Sequence, residues 1–462
     1  MLQTDSWIPL TLARFASCGE GRLVGDDRRF DCISTDSRSL PAGAMFAALR
    51  GEHFDGHEFA GAAAERGACG LLVERQLPIA LPQVVVPDTL QALTACAREQ
   101  RRRLHGPVIA VTGSNGKTTT KETIGAILTR LGPCLITKGN LNNHIGVPLT
   151  LLGLRAEHRY AVIEMGASHR GEIAHLASVA EPTVGIVTNA GAAHLEGFGS
   201  VEGVASSKGE LFAGLPSSGI AIVNADDRFA AAWRSTAAGR RVLTFGVDQP
   251  SDFTARDIRP SVGADGLSQA FELVSPAGSE SVHLGLAGLH NLRNALGAAA
   301  ASYAAGVALD DIARGLGDVK PVKGRLELRP AINGAVLVDD SYNANPGSLE
   351  AGLDAFQAFT GTRWLVMGDM MELGPSSDEL HAEVGRYAKA SGVVRLLALG
   401  PRARSAADAF GEGGAWFERI DDLIAEATRS LTPDVAVLVK GSRASRLERV
   451  TAALARGQDE VA

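Results

Sequence analysis

From Pro107 onward the chain is punctuated by short, continuously apolar runs that stop at Gly, Asp or Asn: PVIAVTG, CLITKG, YAVIEMG, VGIVTNAG, GIAIVNADD and RVLTFG. Unbroken apolar strands alternating with helical stretches predict a parallel sheet covered on both faces. Residues 251 to 287 break that rhythm and read as a small antiparallel excursion. The alanine-rich HNLRNALGAAAASYAAG that follows has the composition of a closely packed helix. Beyond a turn-rich break, LGDVKPVKGRLE, come four more buried-type strands, AVLVDD, RWLVMGD, RLLALG and VAVLVKGS. Ahead of all these, residues 1–86 mix strand-like pieces with one helix, HEFAGAAAERGA, and end on QVVVP. The helical TLQALTACAREQRRRL then runs to the breaker pair Gly106-Pro107. The expected fold is α/β in three domains: a small α/β unit at 1–86, a central parallel-sheet unit at 87–318, and a Rossmann-like unit at 319–462.

A length of 462 residues fits several domains rather than one core. The net charge of −7 argues against nucleic acid as a partner, since phosphate-backbone binding needs clustered Lys and Arg. The one basic run, Arg101-Arg102-Arg103, reads as a solvated helix end or linker. Five scattered cysteines without a C-x-x-C pair suit reduced thiols rather than a disulfide framework or a zinc site. No apolar leader follows Met1, and no run approaches the ~20 apolar residues of a membrane helix. A cytoplasmic protein without membrane insertion is expected.

The stretch VIAVTGSNGKTTT, residues 108 to 120, is a phosphate-loop sequence with unusual spacing. The common form G-x-x-x-x-G-K-[ST] would place glycine at 111, where Val111 stands; the first glycine here is Gly113. The setting is nonetheless strand, loop, helix, so the N–H groups of Gly113, Ser114, Asn115 and Gly116 and the helix start converge on one point that favours an anion. In this loop (112–119), Lys117 supplies charge for terminal phosphates and Thr118 a hydroxyl for Mg²⁺, and Thr119 completes the expected nucleotide-binding set. Glu164 ends the strand YAVIEMG, where a carboxylate is either a solvated terminus or the acid that pairs with Mg²⁺ beside a phosphate loop. His194, in TNAGAAHLEGFGS, falls near the same edge, although a lone loop histidine is more often structural. Lys208, in SSKGELF, reads by itself as an exposed helix lysine.

These segments together carry a family resemblance. TGSNGKTTT resembles the loop of the Mur ligases and the related folylpolyglutamate synthases, and the likeness continues in order through IEMGASHRGEI, AGAAHLEGFGS, SSKGE, GLHNLRNALGAAA, LVDDSYNANPGS and VKGSR. The resemblance implies an ATP- and Mg²⁺-dependent enzyme that activates a carboxylate as an acyl phosphate before an amine attacks it. It also implies roles by residue. Thr118, Glu164, His194 and Lys208 would support metal, Lys208 as a carbamate formed with CO₂. Asn291 and Asn294 would contact adenosine, and Arg325, Asp339, Tyr342, Asn343 and Asn345 would reach the nucleotide from the C-terminal domain. Lys440 and Arg443 would bind substrate or phosphate, while Thr35, Ser37 and Arg38 would hold a UDP group; Asp55 and His57 receive no individual role. Within the family, STDSR, GEHFDGHEF, NLNNHIGVPLTLL, SYNANP and GDMMELG resemble the member that adds D-alanyl-D-alanine, and the D-N-P-R signature of the diaminopimelate-adding member is absent. UDP-N-acetylmuramoyl-tripeptide and D-alanyl-D-alanine are the implied substrates of a monomer, with the third residue of the tripeptide left open. A folylpolyglutamate synthase would not need a UDP-binding N-terminal domain. A P-loop regulatory switch would need the guanine-reading N-K-x-D, and the chain contains no Asn-Lys pair.

Overall fold

The computed structural model describes residues 10–51, 54–263 and 266–456; Glu52 and His53 of the GEHFDGHEF motif lie outside the described residues. Among the described residues four sheets follow one another along the chain. The first has five strands in the order Arg22–Val24, Gln83–Val85, Gly70–Val73, Met45–Ala47, Ile33–Ser34, parallel except for the first pair. The central sheet is wholly parallel, in the order Arg241–Phe245, Ile220–Asn224, Val184–Val187, Val108–Thr112, Tyr160–Glu164, Cys134–Ile136. Thr254–Gly263, Gly266–Ser275 and Gly278–Leu284 form the antiparallel excursion. The last sheet runs Glu327–Pro330, Val336–Asp339, Val435–Lys440, Thr362–Gly368, Arg395–Leu399, Gly414–Phe417, and only its first pair is antiparallel.

Both six-stranded sheets change winding direction at a central strand, and open α/β sheets bind ligands outside the carboxyl ends of strands at such points. In the central sheet that strand is Val108–Thr112, buried at every position and flanked by Val184–Val187 and Tyr160–Glu164. In the last sheet it is Val435–Lys440, between Val336–Asp339 and Thr362–Gly368.

We propose limits near residues 86 and 318 between the three units. The helix Thr89–Arg101 just past the first limit belongs to both sides, since Leu93, Cys96 and Ala97 share one apolar core with Phe15, Leu72, Leu151 and Leu154. This sharing corrects the expectation for the basic run. Arg101 is buried: its Nε donates to Ala180 O at 2.7 Å, its Nη2 to Glu181 O at 2.7 Å and its Nη1 to Leu104 O at 2.9 Å. The guanidinium satisfies carbonyls at the end of the helix Glu172–Ala180, where a cation also meets the negative end of the helix dipole. Arg102 stays at the surface and pairs with the Glu181 carboxylate at 2.7 Å. Arg101→Met, which keeps the apolar stem, is expected to lower stability by about 1–3 kcal/mol through stranded buried carbonyls. Arg102→Met should cost under ~1 kcal/mol. Equal denaturation midpoints for the two variants would refute this assignment.

Candidate active site

The carboxyl edges of the central and last sheets face one another across a cavity of about 1560 Å³. The phosphate loop forms its floor. Gly113 has φ +148°, and a Cβ there would lie 1.9 Å from Thr188 Oγ1; Gly116 has φ +80°, and a Cβ there would meet Asn294 Oδ1 at 2.2 Å. Glycine is therefore required twice, once for the turn and once so that the helix carrying Asn294 can close on the loop. The segment after Val184–Val187 laces the loop in place: Ser114 N donates to Asn189 O at 3.0 Å, Asn115 N to Asn189 Oδ1 at 2.9 Å, and Thr188 Oγ1 to Asn115 O at 2.6 Å. Lys117 opens the helix Lys117–Thr129 and folds over the loop, donating to Gly113 O at 2.7 Å and Ser114 O at 3.2 Å. Desolvation lowers its pKa and Arg325 adds to the effect, while Glu164 opposes it.

Glu164 is buried at its strand end. Oε1 accepts from Asn142 Nδ2 at 2.8 Å, whereas Oε2 makes no hydrogen bond and has Lys121 Nζ at 3.8 Å as its nearest cation. A buried carboxylate oxygen with unused lone pairs beside a phosphate loop fits a divalent cation. Among the described residues no three His, Cys, Asp or Glu side chains already form a cage. Mg²⁺ requires none, since phosphate oxygens and water complete its shell.

His194 lines the same cavity, with burial lowering its pKa against the opposing pull of Glu372. Lys208 does not line it. The lysine is buried in the helix Val201–Ala213, directly behind the wall, with Nζ 3.4 Å from Ala167 O and 5.3 Å from the Phe198 ring centroid. Burial, with Lys117 second, pushes its pKa down to about 7. The exposed-lysine reading is thereby overturned.

The last sheet closes the cavity from the other side. Arg325 stacks 4.5 Å from the Tyr342 ring centroid and donates from Nη2 to Thr118 Oγ1 at 3.1 Å. Asn345 caps the helix Pro346–Phe356 and exchanges side-chain hydrogen bonds with Asn115, at 2.7 and 3.2 Å. Asn343 and Arg443 also line the cavity, as do Asn291 and Asn294, the Asn291 amide donating to Ala287 O at 2.8 Å. Two expectations shift here. Asp339 turns away from the cavity, its Oδ1 accepting from Ser341 N at 3.1 Å and Oγ at 2.6 Å, and Asp340 faces in. Lys440 does line the cavity, but it is buried and its ammonium is already held, by Asp340 Oδ2 at 2.6 Å and Asn343 O at 3.0 Å, so it also braces the wall. Burial in turn raises the Asp340 pKa, with Lys440 opposing.

Family models match most of the chain: the Mur ligase family catalytic domain at 29–104, the Mur ligase middle domain at 111–302, and the Mur ligase glutamate ligase domain at 324–443. The chain belongs to the Mur ligase family. It is 45% identical to UDP-N-acetylmuramoyl-tripeptide–D-alanyl-D-alanine ligase of Escherichia coli (strain K12), over 97% of this chain and 98% of that protein. It is 33% identical to the protein of the same name from Bacillus subtilis (strain 168), over 90% of this chain and 92% of that one. Among solved structures, MurF from Acinetobacter baumannii aligns with a TM-score of 0.88 at 36% identity, covering 96% of this chain and 98% of that chain. MurF ligase from Thermotoga maritima in complex with ADP aligns with a TM-score of 0.79 at 29% identity, covering 91% and 96%.

In this Mur ligase the N-terminal candidates stand apart from the cavity. Ser37 is buried, and Arg38 is exposed with its fork already on Asp36 at 2.9 and 3.0 Å, which pulls that carboxyl down to about 2. An incoming diphosphate would compete with Asp36 for the fork, and Thr35 and Ser37 flank Asp36 in the chain. Asp55 and His57 acquire a structural role. Glu74 N donates to His57 Nε2 at 2.8 Å, so the ring proton sits on Nδ1, 2.5 Å from Asp55 Oδ1, and the pair pins the loop to the sheet. Residues that sequence reasoning passed over also line the cavity: Asn142, Asp226, His290, Arg293, Asp340 and Glu372. Asn142, His290, Arg293 and Glu372 lay inside the quoted motifs NLNNHIG, GLHNLRN and GDMMELG, which was the available signal. His290 is pushed down to about 4, first by burial and then by Lys440 and Arg293, and is neutral at physiological pH.

Proposed function

We propose that this chain is an ATP-dependent ligase that joins D-alanyl-D-alanine to UDP-N-acetylmuramoyl-tripeptide in peptidoglycan precursor synthesis. The observation that carries this reading is a phosphate loop with Glu164 and His194 around one cavity whose opposite wall comes from the last sheet, in a chain 45% identical to a ligase of that name. Two anions must meet in the first step, as the tripeptide carboxylate takes the γ-phosphoryl of ATP to form an acyl phosphate and ADP. Lys117, Arg325 and the loop amides suit that need, because charge developing on the transferred group is stabilised by donors fixed beforehand. Mg²⁺, held by Thr118 and Glu164 with His194 and a carbamylated Lys208 supporting a second ion, would supply further neutralisation. The D-alanyl-D-alanine amine then attacks the acyl carbon, the C–N bond forms, phosphate leaves and the amine gives up its proton.

Asn291 and Asn294 are assigned to adenosine, Tyr342, Asn343 and Asn345 to the nucleotide from the facing wall, Arg443 to substrate or phosphate, and Thr35, Ser37 and Arg38 to UDP. A monomer is the expected working unit. No helix among the described residues is long and apolar enough to cross a membrane, and all five cysteines are free thiols, which suits a reducing cytoplasm. The test is ADP release from ATP with UDP-muramoyl tripeptides ending in diaminopimelate or in lysine, each with and without D-alanyl-D-alanine. Appreciable release is expected only with both co-substrates present. Hydrolysis indifferent to both would overturn the reading.

A further inference from the structure

His194 and Glu372 meet across the gap between the central and last sheets, and both carry unusual backbone. His194 has φ 53° and Glu372 φ 61°, left-handed values that side chains other than Gly, Asn and Asp seldom adopt. Such conformations persist only where the surroundings impose them, and they concentrate at functional sites. The loop bearing Glu372 is imposed from below. Met370 N donates to the buried His381 Nε2 at 2.9 Å, Met371 N donates to Ser442 Oγ at 2.9 Å, and Asp369 Oδ1 accepts from Ala403 N at 2.8 Å. Buried Met370 and Leu373 anchor it on both sides of the exposed Met371 and Glu372. On this mount the Glu372 carboxylate Oε2 lies against His194 Nδ1, a buried ring nitrogen with no formed hydrogen bond, and Glu196 N approaches Glu372 O at 3.4 Å.

We propose that Glu372 is a positioning residue delivered by the C-terminal domain: its carboxylate accepts the Nδ1–H of His194 and leaves Nε2 as the lone pair available to a divalent cation. A carboxylate behind a ligating imidazole sets its tautomer and orientation and raises its basicity. Here that carboxylate comes from a different sheet than the imidazole, so cation affinity is coupled to docking of the C-terminal domain. The inference rests on the ligase reading only in taking His194 as a group that meets the cation.

The experiment measures Mn²⁺ binding by electron paramagnetic resonance to the full chain with a non-hydrolysable ATP analogue. Glu372→Ala should weaken Mn²⁺ by ~10–100-fold and lower kcat comparably, with the KM for the UDP substrate and metal-free nucleotide affinity unchanged. Glu372→Gln, whose amide oxygen still accepts from Nδ1–H, should retain most of the affinity. Combined with His194→Ala, the alanine change should cost nothing further, because it acts through the imidazole. Glu372→Lys, which opposes Nδ1–H with a cation, gives the same reading if the alanine variant fails to fold. Wild-type Mn²⁺ affinity in a folded Glu372→Ala or Glu372→Lys protein, or additive losses with His194→Ala, would overturn the proposal. Failure of ADP release with an intact Mn²⁺ pattern would count against the ligase reading and leave the Glu372 assignment standing.

Discussion

Lys117→Ala is expected to reduce ligation by ~10²-fold or more with no loss of folded protein, because it removes one fixed cation from the transferring phosphoryl group. The loop should survive the change. Its shape depends on Gly113, Gly116 and the bonds to Thr188 and Asn189, and the Lys117 ammonium only borrows the Gly113 and Ser114 carbonyls. Ser114, which carries one of those carbonyls, lines the cavity, where water can replace the ammonium. The measurement is kcat and KM for ATP beside a thermal melt. A folded variant with near-normal turnover would show that the loop is not the catalytic cradle.

Lys208 should separate activity from stability even more sharply. An ammonium buried behind Ala167 with one 3.4 Å hydrogen bond is an unfavourable element of the fold. Its folded pKa, about 7, lies below the ordinary 10.5. Between those values the unfolded chain holds one more proton than the folded chain, so stability rises with pH across the window and the full cost applies below pH 7. Lys208→Met, of similar volume and no charge, should therefore match or exceed the wild-type melting temperature. Ligation should nevertheless fall by ~10²-fold or more in Lys208→Met, Lys208→Ala and Lys208→Arg alike, if the working form is a carbamate that helps hold a metal ion.

The carbamate arises when the neutral amine attacks CO₂ and loses a proton, a reaction favoured above pH 7 and suppressed as pH falls. Wild-type rates should accordingly decline in CO₂-depleted buffer and more steeply at lower pH. Formate or acetate should restore part of the rate to Lys208→Ala by placing a carboxylate in the vacated space. Arginine keeps the charge and cannot form the carbamate. An active Lys208→Arg enzyme would sink the modification while leaving the burial unexplained.

Much of this architecture was written in local pattern. PVIAVTG and VAVLVKGS are apolar at consecutive positions because both faces of their strands are covered, and that requirement acts on each strand wherever it lies. The phosphate loop was equally legible, since its strand, its two glycines and its helix start are contiguous and their chemistry is set within about a dozen residues. The Mur ligase resemblance, carried by motifs in order, was confirmed by family models over most of the chain.

What a segment does once it meets a distant one was decided only by the tertiary structure. Asn115 and Asn345 pair although 230 positions separate them, and Arg101 reaches Ala180 over 79. Nothing in either local sequence marks such a partner. Successive residues leave a strand on opposite sides, so Asp339 and Asp340 were indistinguishable until the sheet was in place around them. SSKGELF looks like any polar helix turn, and Lys208 became a buried, easily neutralised amine only when the neighbouring segments that carry Ala167 and Phe198 closed over it. The physical reason is common to all four cases. Periodicity and loop chemistry are properties of adjacent residues, whereas desolvation, the strength of a charge and the partner of a hydrogen bond depend on which surfaces exclude water together.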